Sequence, residues 1–313
     1  MKCYLCGKDN LTIISKKLRT GAGTVWYCER CKLGQLGQKK HDQQRFYDQE
    51  YRKKFGPDVT RPSQYDEIFD AYVNYQDTRI GMLKPHIGKT SRLLEVGCST
   101  GHFLYNIKNY VREAIGVDYD SGAAEFANKK TGCRTYGCAL SDSPLEPGTF
   151  DVVCAIQTLE HVDDPLQFVD VLKKYLKPEG LLYIEVPNLY DPLLSLYDNP
   201  HYRQFFFHEA HSFYFTPESF MELMKRSGVK GTIRFIQDYN IMNHLHWMFL
   251  NRPQTSCHEG LGKARLPIAG TASGKPRTEL DSFAERVDKE YKSILSSYGY
   301  TDNMAFIGRV KKG

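Results

Sequence analysis

From residue 92 the apolar positions fall in short runs, RLLEVG, EAIGVDYD, FDVVCAIQ and LLYIEVP, with a weaker one near RTYGCAL. Between them stand STGHFLYNIKNY, SGAAEFANKKT and PLQFVDVLKKYL, with helical spacing and glycine or proline at their borders. Short apolar strands alternating with amphipathic helices predict a parallel sheet with helices on both faces, a doubly wound α/β domain.

The flanks differ. Residues 41–88 are polar and tyrosine-rich, with Ile68, Phe69, Tyr72, Val73, Ile80 and Leu83 at helical spacing, which predicts a helical lead-in broken around Gly56-Pro57 and Arg61-Pro62. After the core, which we set at 89–250, Thr216-Pro217-Glu218 reads as an N-cap, a proline at N1 and an acidic first turn, opening the helix TPESFMELMKRSG before a strand TIRFIQDY. Residues 251–277, rich in Pro, Gly, Ser and Thr, predict a mobile loop. In 278–313 a helix (about 279–297) and a hydrophobic strand (303–310) follow, and that strand is expected to pair with the sheet.

The 313 residues, 41% hydrophobic and 25% charged, make an ordinary globular chain. No apolar run approaches a membrane span and Met1-Lys2-Cys3 opens no signal peptide, so membrane insertion is not expected and the expected location is cytoplasmic. The net charge of +5 is uneven: residues 1–60 hold thirteen Lys and Arg against six Asp and Glu. A basic front suits a nucleic acid, a nucleotide diphosphate, an acidic surface or plain solvation.

Cys3, Cys6, Cys28 and Cys31 form two CxxC pairs separated by 21 residues. Two such knuckles can complete a closed, structural four-cysteine zinc site, so residues 1–40 are expected to be a zinc ribbon whose metal supplies its fold. The other five, Cys98, Cys133, Cys138, Cys154 and Cys257, lack ligand spacing and are expected to be buried or incidental.

LLEVGCSTGHFL carries Glu95, Gly97 and Gly101 in the pattern ExGxxxG, a glycine turn at a strand's carboxyl end. Ser99 stands where a dinucleotide fingerprint has its second glycine, and Asp118, 21 residues after Gly97, is suited to the hydroxyls of a ribose. The cofactor is expected to have an adenosine-like ribose without needing a pyrophosphate.

Over roughly residues 65–250 the chain resembles the class I S-adenosylmethionine-dependent methyltransferases: EVGCSTG, GVDYD, FDVVCAIQTLEHVDDP and LKPEGLLYIEVPN follow one another as that family's motifs do. The resemblance implies a Rossmann-like sheet and S-adenosylmethionine as cofactor. It places Gly97 and Gly101 at the methionine end, Asp118 at the ribose, Tyr119 on adenine and Gln157 at the methionine moiety, with Glu95 and Cys98 of the first motif also among the cofactor-binding residues. In the third-strand loop YGCALSD Cys138 replaces the usual acidic residue, leaving backbone near Ala139 and Leu140 for the adenine.

FFFHEAHSFYF (205–215) sets His208 and His211 three apart, one short of the HExxH of a zinc protease, and reads as a strand or loop entering a helix. A ribbon, a tyrosine-rich lead-in, this core and HEAHSFYFTPES are similar to the sugar methyltransferases of surface-polysaccharide and deoxysugar pathways. RFIQDYNIMNHLHWMFLNRPQ resembles a stretch of the same group, and Asn243, His244, His246 and Trp247 are expected in the acceptor pocket with the ribbon. In its C-methyltransferases the segment reads YHEHLSYFS; aligned on its second histidine, His211 holds that place, Ala210 the glutamate's and His208 the tyrosine's, with Glu209 one position off. The resemblance therefore implies a sugar or sugar-nucleotide acceptor, His211 as base and His161 as a second active-site histidine, with Glu209 and His208 as further candidates. O-methylation is the expectation rather than C-methylation. The rival readings are RNA methylation through the basic ribbon and a non-catalytic, zinc-dependent interaction protein.

Overall fold

The apolar runs become a seven-stranded sheet of order β10-β11-β8-β7-β4-β5-β6 in the computed structural model, which describes residues 1–37, 46, 51–267 and 274–310. Its parallel part is β4 (Arg92–Val96), β5 (Glu113–Asp118), β6 (Arg134–Gly137), β7 (Phe150–Ile156) and β8 (Leu176–Pro187). Alternate residues of each strand face opposite sides, and both sides are filled. Leu94, Val153 and Ile184 point to one core, which β11's Phe306 joins, while Leu93, Val152 and Tyr183 point to another.

Two layers of helices cover these faces. On the lead-in side are α1 (Tyr51–Lys54), α2 (Tyr65–Tyr72) and α3 (Asp77–Leu83), followed in the domain by α4 (His102–Ile107), α5 (Ser121–Thr131) and α6 (Pro165–Tyr175). Beyond β8 come α7 (Pro192–Ser195), α8 (Pro200–Phe206), α9 (Pro217–Arg226), α10 (Ile241–Leu250), α11 (Cys257–Leu261) and α12 (Lys275–Tyr298). α9 begins as its cap residues predict: Thr216 Oγ1 accepts from Ser219 N, and Phe220, Leu223 and Met224 line its buried face. Each such side chain contributes about 1.5–3 kcal/mol on burial. β11 (Asn303–Val310) slots antiparallel between β8 and β10 (Val229–Ile236), with Met304, Ala305 and Phe306 fully buried.

The amino-terminal strands β1 (Thr12–Leu18), β2 (Gly21–Cys28) and β3 (Leu33–Leu36) make a second, antiparallel sheet whose fourth strand is β9 (Phe213–Tyr214). FFFHEAHSFYF enters a helix through loop and strand as expected, and only its first two residues depart from that reading. Asn199 caps α8 through the amides of His201 and Tyr202 and Pro200 occupies N1, so Phe205 and Phe206 finish a helix; the segment then runs through a loop into β9. The stretch 251–277 is likewise not loop throughout: it holds α11, capped by Ser256, and α12 begins at Lys275. Residues 38–45 and 47–50 of the ribbon's end and lead-in, and 268–273 of that stretch, lie outside the described residues. No helix among the described residues is long and apolar enough to cross a membrane.

Candidate active site

Parallel pairing puts the carboxyl ends of β4, β5 and β7 along one edge, where a cavity of about 870 Å³ opens. The chain turns there from β4 into α4 through Gly97 (φ 81°) and Gly101 (φ 79°), backbone that favours glycine. A methyl on Gly97 would overlap the Thr158 hydroxyl, and one on Gly101 would press on Ala127 and Thr131 of α5. Gly97 lines the cavity; Gly101 and Cys98 do not. They stand behind the turn, Gly101 against α5 and Cys98 where a side chain on Gly116 would have to go.

Glu95 faces the cavity, 2% exposed, and its Oε2 has no hydrogen-bond partner among the described residues. Burial, then the neighbouring Asp118 charge, pushes its pKa well above the carboxylate range. An orphaned buried carboxyl calls for a donor from a ligand, and the ammonium of a methionine moiety is such a donor. Asp118 accepts from Ser99 N (2.7 Å) through Oδ2 and from Asp120 N (2.9 Å) through Oδ1, leaving further acceptor capacity on both oxygens for ribose hydroxyls. Tyr119, Ala139 and Leu140 line the same cavity. The residues present thus fit S-adenosylmethionine.

Gln157 sits at the end of β7 with φ 51° and lines the cavity, and its amide is engaged. Nε2 donates to Glu185 Oε1 (3.2 Å) and Asn303 Oδ1 (3.0 Å). Arg79 closes the network, pairing with Glu185 (2.5 Å) and Asp238 (2.7 Å). Arg52 of α1 reaches in from the lead-in, donating to Ser99 Oγ at 2.7 Å and pairing with Asp120 at 3.3 Å. The sequence reading missed Arg52 and Arg79, because an arginine in a polar helix carries no pattern that distinguishes a buried one.

The cavity is also lined by Tyr51, Phe55, Tyr72, Tyr75 and Tyr239 and by three of the expected residues, His161, His208 and His211, with Tyr51 packed on His161 (5.7 Å) and Phe55 on His208 (4.8 Å). It also holds Glu160, which the sequence reading passed over as part of LEH. Glu160 is 1% exposed, neither carboxylate oxygen has a hydrogen-bond partner among the described residues, and burial pushes its pKa up to about 8. Its Oε1 lies 3.7 Å from His161 Nε2 and 3.9 Å from His211 Nε2. The Ala210 carbonyl, 3.1 Å from His161 Nδ1, can only accept, so Nδ1 carries a proton and donates it there. His208 packs its ring 3.8 Å from that of His211, and burial, then Arg19, drives its pKa well below the usual range.

Glu209 points elsewhere: it accepts from the Thr20 hydroxyl and lies 3.9 Å from Lys54 Nζ, outside the cavity lining. Ala210, where the C-methyltransferase segment has its glutamate, is fully buried against Phe46 and Phe55. The α10 residues do not line the cavity either. His244 meets Tyr291 Oη at 2.6 Å and Trp247 stacks edge-on with Tyr202, because the helix faces α8 and α12.

The amino-terminal sheet enters the site through the β1–β2 turn. Arg19 lines the cavity, its amide donates to Phe207 O (2.7 Å), its Nε to Phe205 O (2.6 Å), and its guanidinium lies 3.7 Å from the Phe205 ring centre. At the end of β2 away from that turn the Sγ atoms of Cys3, Cys6, Cys28 and Cys31 lie within 4.8 Å of one another, with Cys6 and Cys28 3.7 Å apart. Four thiolates about 2.3 Å from a tetrahedral zinc stand roughly 3.8 Å apart, so the set fits that ion.

Comparison with known proteins agrees with this geometry. The family described as a methyltransferase domain matches residues 61–232, more than half of the chain. An uncharacterised protein of Methanocaldococcus jannaschii is 28% identical over 170 residues, 54% of this chain and 78% of its own. A probable S-adenosylmethionine-dependent methyltransferase of Mycobacterium tuberculosis is 33% identical over 97 residues, 31% of this chain, which spans only 35% of that relative. Among solved structures, phosphoethanolamine N-methyltransferase 2 of Haemonchus contortus, with S-adenosyl-L-methionine, shares the fold (TM-score 0.50, 14% identity, 90% of this chain, 62% of that one). With the glycine turn, the acidic strand ends and the family match on one sheet edge, the chain belongs to the S-adenosylmethionine-dependent methyltransferases of class I.

Proposed function

We propose that the enzyme O-methylates a sugar, nucleotide-linked or glycan-linked, and that its acceptor hydroxyl loses its proton at His211. The observation that carries this is the buried Glu160–His161–His211 cluster in an aromatic-lined cavity that also fits the cofactor. When bound, S-adenosylmethionine supplies a methyl already activated as a sulfonium. What is left to the protein is to align the acceptor and remove one proton. The rings of Tyr51, Phe55, Tyr72 and Tyr239 give apolar walls for the CH faces of a sugar, and the Arg79, Asp238 and Asn303 groups give polar ones for hydroxyls. The likeness of HEAHSFYFTPES to sugar methyltransferases supports the choice of acceptor. We further propose a structural zinc on Cys3, Cys6, Cys28 and Cys31, which holds the ribbon that carries Arg19.

The test is His211→Ala and His211→Gln with sugar nucleotides and glycans as acceptors. Turnover should fall by about 10²–10⁴ while S-adenosylhomocysteine affinity stays within twofold of wild type. Full activity in either variant overturns the role of His211. Methylation of RNA but of no sugar overturns the acceptor.

A further inference from the structure

We propose that Glu160, His161 and His211 form a second metal site, a two-histidine, one-carboxylate set for a borderline divalent cation of the zinc class. It rests on the reading of this cluster as the acceptor end and deepens it: His211 then acts on the proton as a ligand of the ion, not by accepting the proton itself.

Three observations point to an ion. The donor atoms lie within 4.8 Å of one another, and Glu160 Oε1 stands 3.7 and 3.9 Å from the two Nε2 atoms. Ligands about 2.0–2.1 Å from a tetrahedral ion are separated by roughly 3.4 Å, so inward shifts of a few tenths of an ångström close the set. Both Glu160 oxygens are buried without a hydrogen-bond partner among the described residues, an arrangement that a cation resolves. His161 donates Nδ1–H to the Ala210 carbonyl and turns Nε2 toward Glu160, the outer hydrogen bond with which ligating histidines fix tautomer and ring.

Two imidazoles select zinc, iron, nickel or copper over magnesium and calcium, which prefer all-oxygen sets. Three protein ligands leave a position open, and the residues lining the cavity here put it at the acceptor. A hydroxyl in that position is acidified, as water on zinc is brought to a pKa near 7. Its proton passes to solvent; the oxygen then forms its bond to the methyl carbon as the methyl–sulfur bond breaks, the bonding pair staying on sulfur. The products are the methyl ether, neutral S-adenosylhomocysteine and one proton.

The test is metal content. Full-length protein equilibrated with ZnCl2 and desalted should carry one more zinc per chain than Glu160→Gln treated identically, with the same S-adenosylhomocysteine affinity in both. Should that variant not fold, anomalous scattering at the zinc edge from wild-type crystals soaked in ZnCl2 decides: a peak within about 2.0–2.2 Å of all three ligand atoms is expected. Equal zinc content in a folded variant, or no such peak, overturns the site. Sugar methylation without the second zinc sinks the metal and leaves the proposed function standing. A second zinc without methylation of any sugar keeps the metal and sinks the sugar.

Discussion

Glu95 near the end of β4 and Glu160 in the helical turn after β7 are almost wholly buried and carry oxygens with no donor among the described residues. Such a group lowers stability unless a ligand satisfies it. For Glu95→Gln we therefore expect S-adenosylhomocysteine affinity, by calorimetry, to fall about tenfold or more, a charge-assisted hydrogen bond being worth roughly 1.5–3 kcal/mol. The melting temperature of the ligand-free variant should equal or exceed that of wild type; a lower one would show that Glu95 is already satisfied. Gly97→Ala should behave oppositely, since its methyl must displace Thr158 and hold a φ of 81°. A loss of about 1–3 kcal/mol in denaturant unfolding is expected. The ExGxxxG spacing makes Glu95 and Gly97 legible in the sequence. Glu160 was not legible: a glutamate before a histidine has the same letters whether its side chain faces solvent or the cavity.

The pairing of β3 with β9 is the element that makes the amino-terminal sheet part of the enzyme. Leu36 N donates to Ser212 O and Ser212 N to Glu160 O, so one chain of hydrogen bonds runs from that sheet, past the His211 loop, to the turn after β7. Arg19 clamps the other side of that loop through Phe205 and Phe207. For Arg19→Ala we expect kcat/KM for the acceptor to drop about tenfold or more while cofactor affinity holds, since a hydrogen bond from a charged donor is lost together with a cation–π contact. Weakened S-adenosylhomocysteine binding in that variant would place Arg19 in general stability instead. The four-cysteine set and the β/α alternation were legible because cysteine spacing and apolar periodicity are local. The union of β3 with β9 was not, because a two-residue strand has no periodicity and its partner lies about 180 residues earlier.

At the scale of the whole molecule, α10, α12 and the segment after β10 meet at His244, 1% exposed, which bonds Tyr291 Oη (2.6 Å) and lies 3.4 Å from the Gln237 amide. Burial, then Lys292, lowers its pKa to about 3, so it folds neutral. The unfolded chain takes up a proton near pH 6.5 and the folded one does not, so this contribution is complete above 6.5 and is lost as pH falls from there toward 3. The free energy of urea unfolding should decline below pH 6.5 by up to about 1.4 kcal/mol per unit from this residue, and His244→Gln should flatten that slope; an unchanged slope would assign the acid lability elsewhere. By itself the sequence determined the sheet, the cofactor turn and the four-cysteine set, because strand periodicity, glycine turns and ligand spacing act over a few residues. Only the tertiary structure decided that His211 stands beside Glu160 and His161, that Glu209 and α10 turn away, and that the amino-terminal sheet reaches the cavity. Those outcomes depend on which distant backbones share hydrogen bonds and which side chains lose their water, and neither is written in local order.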